Sequence, residues 1–264
     1  MDVEQFLRAI SERLTAEPAI EALFLAGSHG QSKADRFSDI DLVAIADEPN
    51  HKRVAGAWRS ALGSQHEIVF WNEFRRGGIL VNAITESWLR CDLYVVEPAR
   101  FVRRSRANVR PLFDRGGIYD GLPEQLPPAR PDPKRVSALI HEFIRVLGLM
   151  TVGMGRGEYV TLVKGAGLLR DMLTDLMLEE CQVPDRGGAL HLSRLLDADQ
   201  MAVLENLPYP SPEPEALLEA HAALAETFFP MARRLAGQLD IEWPEAFEAA
   251  TRRHLFVELG MEFR

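Results

Sequence analysis

Apolar residues in the first half of the chain alternate between two periods. Phe6, Leu7, Ile10 and Leu14 recur at helical spacing, so residues 2–16 read as an amphipathic helix; the run 22–26 then reads as a short buried strand ending at Gly27. Past a polar turn containing glycine, residues 40–46 (IDLVAIA) predict a second strand. Residues 51–62 predict a helix, and 67–71, 79–85 and 92–96 predict three further strands. In the second half only the helical period survives. Val136, Leu139, Ile140, Phe143 and Leu147 form one series, and Leu162, Val163, Ala166, Leu169, Leu173 and Leu176 another. Two more helices are expected at 214–238, where Pro230 should kink or divide the helix, and at 244–259, where Pro244 suits the first helical position.

Between the two regimes lies GLPEQLPPARPDP, residues 121–133, whose five prolines allow neither an uninterrupted helix nor a central strand. The expected organisation is therefore two domains, residues 1–125 and 132–264. The length of 264 residues agrees with this, since single cores stop growing near 250–300 residues.

Composition excludes several classes. Hydrophobic residues at 47% and charged residues at 26% are those of a globular protein, not of a disordered chain or a fibre. No apolar run approaches the roughly 20 residues of a bilayer span. The N-terminal stretch is acidic and amphipathic, unlike a signal peptide, so a soluble, cytoplasmic protein with no membrane partner is expected. Cys91 and Cys181 are the only cysteines, which leaves no disulfide framework and no cysteine zinc site. The net charge of -9 argues against a protein that grips nucleic acid. Residues 1–132 carry 17 basic and 19 acidic side chains and residues 133–264 carry 13 and 20, so the acidity is concentrated in the helical half. An acidic half is first of all a solvated surface, and secondly one that attracts cationic small molecules.

The chemistry is concentrated in LFLAGSHGQSKADRFSDIDLVAIAD, residues 23–47. One strand ends at Gly27-Ser28, ten residues intervene, and Asp39-Ile40-Asp41 opens the next strand. Residues two apart on a strand point to the same side, so Asp39 and Asp41 present two carboxylates together. Like charges that close favour a cation between them. Hard oxygen ligands suit Mg²⁺, which also takes phosphate oxygens and so implies a nucleoside triphosphate. Gly27 permits close backbone approach, and Ser28 offers a hydroxyl to phosphate at a strand-to-helix turn. Either motif alone is weak, because a turn or capping aspartate is commoner than a metal ligand; the ordered set carries the argument.

This ordered set resembles the nucleotidyltransferase superfamily of the DNA polymerase β type, in which Gly-Ser and Asp-x-Asp are joined by a third carboxylate on a later strand. Asp92, opening Asp92-Leu93-Tyr94-Val95-Val96, matches that position. Within the superfamily the layout is similar to the lincosamide and aminoglycoside nucleotidyltransferases, as are the segments 70–74 (FWNEF) and 156–159 (RGEY). The chain departs from the family's Gly-Ser-x-Ala-x-Gly loop, with Gly30 at the alanine position and Ser32 at the second glycine. The resemblance implies an α/β (α+β) nucleotidyltransferase domain with a mixed sheet of about five strands, followed by a C-terminal α-helical bundle that binds the acceptor. It implies Mg²⁺-dependent transfer of a nucleoside monophosphate, AMP from ATP, onto a hydroxyl of a small molecule such as an aminoglycoside or lincosamide. It also allows a homodimer. Asp39, Asp41 and Asp92 are then both catalytic residues and metal ligands. Asp92 is either a ligand or the base that takes the hydroxyl proton, since an acid beside two others has a raised pKa.

Of the charged residues in the helical half, Lys164 is the candidate for the triphosphate and Glu158 for the acceptor. A helical lysine is more often solvated surface, and an acid at a helix start is accounted for by the helix dipole. Asp171, Asp175 and Glu179 share a helix stripe that would attract amines if it is not simply a wet face. The basic run Arg100, Arg103, Arg104, Arg106 and Arg110 lacks interleaved aromatics and reads as a surface helix or a minor phosphate contact. His141, His191, His221 and His254 form no zinc pattern, and Ser28 is not in a Gly-x-Ser-x-Gly elbow. The rival readings are a nucleotidyltransferase that modifies a protein or RNA, and a non-catalytic nucleotide-binding homologue.

Overall fold

The computed structural model describes residues 3–75, 77–101, 104–184 and 192–263. The chain divides into two compact units, Met1–Pro127 and Pro128–Arg264, and the division falls within the proline-rich segment.

The first unit is a mixed α/β domain. In chain order it comprises α1 (Val3–Thr15), β1 (Ala22–Leu25), a four-residue helical turn α2 (Gly27–Gly30), β2 (Ile40–Ile45), α3 (His51–Gly63), β3 (Ile68–Arg75), β4 (Ile79–Thr85), β5 (Arg90–Val96) and β6 (Arg110–Asp114). The sheet has six strands in the order β3-β4-β5-β2-β1-β6, one more than the hydrophobic pattern predicts. The added strand, β6, contains Pro111 and only half-buried residues, and it lies at an edge, where a missing N–H can be tolerated. All neighbours are antiparallel except β2 and β5.

Burial explains the patterns. β1 is ALFL, buried at every position, as a strand covered on both faces should be. One face of the sheet packs Leu23, Leu42, Ala44, Val81, Leu93 and Val95 against Phe6, Ile10, Val54 and Trp58 of α1 and α3. The opposite face carries a smaller cluster, Phe24, Val43, Ile45 and Val96, covered by Phe101 and Val109; the Phe24 and Phe101 rings stack 4.6 Å apart. Among the described residues the basic run forms no surface helix: after a single 3-10 turn, Pro98–Arg100, residues 104–109 run irregularly to β6, and Phe101 and Val109 pack onto the sheet. Arg103 lies outside the described residues.

The second unit is helical: α4 (Pro133–Gly148), α5 (Met150–Arg156), α6 (Tyr159–Glu180), α7 (Leu192–Leu195), α8 (Ala198–Asn206), α9 (Pro214–Gln238) and α10 (Glu245–Leu259). Asp132 caps α4 by accepting from the Lys134 N–H at 2.9 Å, with Pro133 in the first turn. Val136, Ile140, Phe143 and Leu147 of α4 meet Leu169, Leu173 and Leu176 of α6 and Leu224, Phe228 and Ala232 of α9 in one core. Residues 133–156 are long and apolar enough to cross a membrane by length and composition, contrary to the expectation from the sequence; here the apolar face of α4 is the centre of that core. Pro230 does not divide α9, which continues through it with Phe228, Phe229 and Ala232 buried on either side. Pro244 stands one residue ahead of α10, at its N-cap.

Candidate active site

The site is built where β1 ends and β2 and β5 begin, on the face that carries the smaller cluster. The β1–β2 ladder runs one residue past its last strand pair, Leu25 with Leu42, because the Ala26 N–H donates to the Asp41 carbonyl at 2.8 Å. The chain must then leave the sheet at once, and Gly27 does so with φ +57. A β-carbon at Gly27 would lie 1.9 Å from Asp41 Oδ2, so the aspartate carboxylate stands directly over the glycine. The turn that follows closes through Gly30 N–H to Ala26 O at 2.8 Å and Lys33 N–H to Ser28 O at 2.8 Å. One of the loop's departures from the family pattern has a local cause. Gly30 is needed because a β-carbon there would sit 2.5 Å from the Leu25 carbonyl, and Ser32 itself adopts φ 56.

Parallel pairing of β2 with β5 sets Asp41 opposite Asp92, and antiparallel pairing of β5 with β4 sets Asp92 opposite Asn82. In-register neighbours share a face, so Asn82, Asp92 and Asp41 form a row across three strands leading to Gly27. Asn82 Nδ2 donates to Asp92 Oδ2 at 2.7 Å. Asp39, just before β2, is presented by a local turn in which Asp35 Oδ1 accepts from the Phe37 N–H at 2.9 Å and from Ser38 Oγ at 3.1 Å. Arg90 opens β5; its Nη1 lies 3.6 Å from Asp39 Oδ2, and its Nη2 donates to the Phe37 carbonyl at 2.7 Å.

The electrostatics follow from this crowding. Burial first, then the charges of Asp39 and Asp92, push the Asp41 carboxyl up to about 6, against the opposing pull of Arg104 and Arg90. Asp92 is also raised, by burial and by Asp39, while the Asn82 hydrogen bond and Arg90 pull it down. Cys91, on the other side of the same strand, is pushed up to about 12 by burial and the two nearby acids and is no nucleophile. Burial and Arg110 lower the pKa of His29, so its imidazole is neutral near pH 7.

One feature fits a metal-nucleotide ligand. Ser28 Oγ is buried and has no hydrogen-bond partner, and such groups are ordinarily satisfied. The place that a β-carbon of Gly27 would fill is taken by the Asp41 carboxylate. Among the described residues no three His, Cys, Asp or Glu side chains are gathered closely enough to hold a metal alone.

Gly27, Ser28, Asp39, Asp41 and Asp92 thus share one site in the first unit. Lys164 and Glu158 are exposed in the second, Lys164 within α6 and Glu158 at its N-cap without a side-chain capping bond. The acidic stripe of α6 is largely taken up by Arg135, which lies 3.2 Å from Asp175 and 3.4 Å from Glu179; Glu179 also accepts from the Asp132 N–H. His191 lies outside the described residues. Sequence reasoning missed Asn82 and Arg90, and took Arg104 only as part of a basic run. The available signal was an asparagine inside an apolar strand, where that residue type is depleted.

Residues 2–256 match the family model described as streptomycin adenylyltransferase. Among solved structures the chain is similar to an aminoglycoside 6-adenyltransferase from Bacillus subtilis, at 12% identity over 98% of this chain and 99% of that one, with a TM-score of 0.47. It is also similar to a nucleotidyltransferase-like protein from Exiguobacterium sibiricum, at 18% identity over 98% and 88% of the two chains, with a TM-score of 0.34. A third match is the CCA-adding enzyme of Thermotoga maritima complexed with tRNA, at 12% identity over 97% of this chain and 53% of that one, with a TM-score of 0.33. No curated protein sequence matches the chain.

Proposed function

Because the chain belongs to the streptomycin adenylyltransferase family and is a nucleotidyltransferase enzyme of the polymerase β type, we propose that it transfers AMP from ATP, with Mg²⁺, onto a hydroxyl of an aminoglycoside-like small molecule. The observation that carries this reading is the row Asn82–Asp92–Asp41 ending over Gly27, with the unpartnered Ser28 hydroxyl beside it. Mg²⁺ held by Asp39 and Asp41 would neutralise charge on the triphosphate as pyrophosphate leaves.

The protein's own groups do the rest. Ser28 Oγ donates to a phosphate oxygen. Asp92, with Oδ2 tied to Asn82, keeps its other oxygen to accept the proton of the acceptor hydroxyl; its raised pKa suits that task. The hydroxyl oxygen bonds to the α-phosphorus in line with the departing pyrophosphate, and the bond from the α-phosphorus to the bridging oxygen breaks. Acceptor recognition is assigned to the helical unit, which carries most of the negative charge, with Glu158 as its candidate contact.

The test is pyrophosphate release by purified protein with ATP and Mg²⁺ across a panel of aminoglycosides, streptomycin included. Release that requires an acceptor and is lost in Asp41→Asn and Asp39→Asn supports the reading. Release from folded Asp41→Asn at the wild-type rate refutes it.

A further inference from the structure

Arg90 has no part in the motif that identifies the site, yet it is a positive group that bears on all three acids. It forms an ion pair with Asp39, and its charge favours the ionised forms of Asp41 and Asp92. Arg90 and Asp92 are two positions apart on β5, so both project to the face that carries the site. The two contacts of the guanidinium differ in kind. The bond from Nη2 to the Phe37 carbonyl, at 2.7 Å, is a full charge-assisted hydrogen bond, and it ties down the turn that presents Asp39. The approach of Nη1 to Asp39, at 3.6 Å, is too long for a hydrogen bond and joins side chains that are 37% and 34% exposed. An ion pair of that kind is weak and is easily exchanged.

On the basis of the function proposed above, we infer that Arg90 is the resident cation of the nucleotide-free site: it holds the Asp39 turn in place and competes with free divalent metal for Asp39, so that metal enters together with the triphosphate. The arrangement follows from charge. Three neighbouring carboxylates without a cation repel one another. A bare divalent ion would have to displace the guanidinium, leaving Arg90 beside a dication. A metal–triphosphate complex carries net negative charge, so Asp39 passes to the metal while the guanidinium gains phosphate oxygens in exchange, and bidentate phosphate pairing suits arginine. Arg90 is therefore a positioning residue for Asp39 as well as a gate on the order of binding.

The test uses Mn²⁺ as a spin-active probe and the full chain as wild type, Arg90→Gln and Arg90→Lys, each checked for folding by its melting temperature. Mn²⁺ affinity is measured by electron paramagnetic resonance without nucleotide, and Mn–ATP affinity by calorimetry. For Arg90→Gln the expected result is a crossover: free Mn²⁺ binds about threefold to tenfold tighter, and Mn–ATP binds weaker by a similar factor. Arg90→Lys keeps the charge and should stay within about twofold of wild type for free Mn²⁺. If wild type binds Mn–ATP and Arg90→Gln binds free Mn²⁺ no more tightly than wild type, the inference about Arg90 is overturned while the nucleotidyltransferase reading stands. A wild-type protein that takes up neither Mn²⁺ nor Mn–ATP overturns both.

Discussion

Replacing Gly27 with alanine isolates the contact on which the site depends. The substitution has two costs. The residue adopts φ +57, and an L side chain in that region costs about 1–2 kcal/mol. The new β-carbon would also lie 1.9 Å from Asp41 Oδ2 and 2.8 Å from Asp41 Cγ, so something must move. The backbone of Asp41 is held on both sides, by the Ala26 N–H and by the β2–β5 pairing with Asp92. The side chain therefore gives way, at an off-rotamer cost of about 0.5–1.5 kcal/mol. Together these predict a loss of about 1.5–3.5 kcal/mol, read from urea unfolding.

Gly117→Ala is the control, because Gly117 has φ +67 and open space around its β-carbon; it should show the backbone cost alone. A double-mutant cycle with Asp41→Ala should recover the steric part, as a favourable coupling of about 0.5–1.5 kcal/mol. Mn–ATP binding should collapse in Gly27→Ala and not in Gly117→Ala. If Gly27→Ala unfolds at the same urea concentration as Gly117→Ala and binds nucleotide like wild type, the carboxylate does not stand over Gly27 and the site is wrongly built.

Three further predictions follow from particular groups. Asp41 has its folded pKa raised from 3.8 to about 6, so between those values the folded state binds more protons than the unfolded one, and stability falls as pH rises through that window. Asp41→Asn should remove that slope and make the nucleotide-free protein about 1–3 kcal/mol more stable at pH 7 by chemical denaturation, while abolishing transfer; equal stability of the two proteins at pH 7 would contradict the electrostatic account. Glu248 is buried between α9 and α10 and accepts from Arg233, Arg252 and Trp243, so Glu248→Ala should cost about 3–5 kcal/mol in unfolding measurements, far more than a surface acid such as Glu262. Ser32 bears φ 56 where the family pattern has glycine, and Ser32→Gly should raise stability by up to about 1 kcal/mol; a clear loss would show that the serine side chain holds the loop.

Legibility varied with how local the information was. The helix at the N-terminus and the strands over 40–46 and 79–85 rest on periodicity within a dozen residues, and they sit where the pattern puts them. β6 escaped because it combines a proline with half-buried positions, and its strand character comes from its partner β1 rather than from its own sequence. Pro230 misled for the complementary reason. A proline's cost of about 3 kcal/mol is set against the burial of Phe228, Phe229, Ala232 and Leu235 on one continuous helix face, and tertiary packing prevails.

At the site the same distinction explains what was visible. Gly27-Ser28 and Asp39-x-Asp41 lie close in sequence because one turn and one strand start build them, so spacing alone suggests a cation between two acids. The remaining half is assembled by strand pairing: β5 reaches β2 in parallel only after α3, β3 and β4, and the residues it delivers, Asp92, Arg90 and the Asn82 beside them, share no local motif with the first two acids. Charge balance makes this second set necessary. With Asp41 pushed up to about 6 by its neighbours, the nucleotide-free site tolerates its own acids only because Arg90 and Arg104 offset them and Asn82 satisfies one oxygen of Asp92. On the function proposed above, an incoming complex of metal and triphosphate would supply the missing positive charge at Asp39 and Asp41 and give the displaced arginine a new partner.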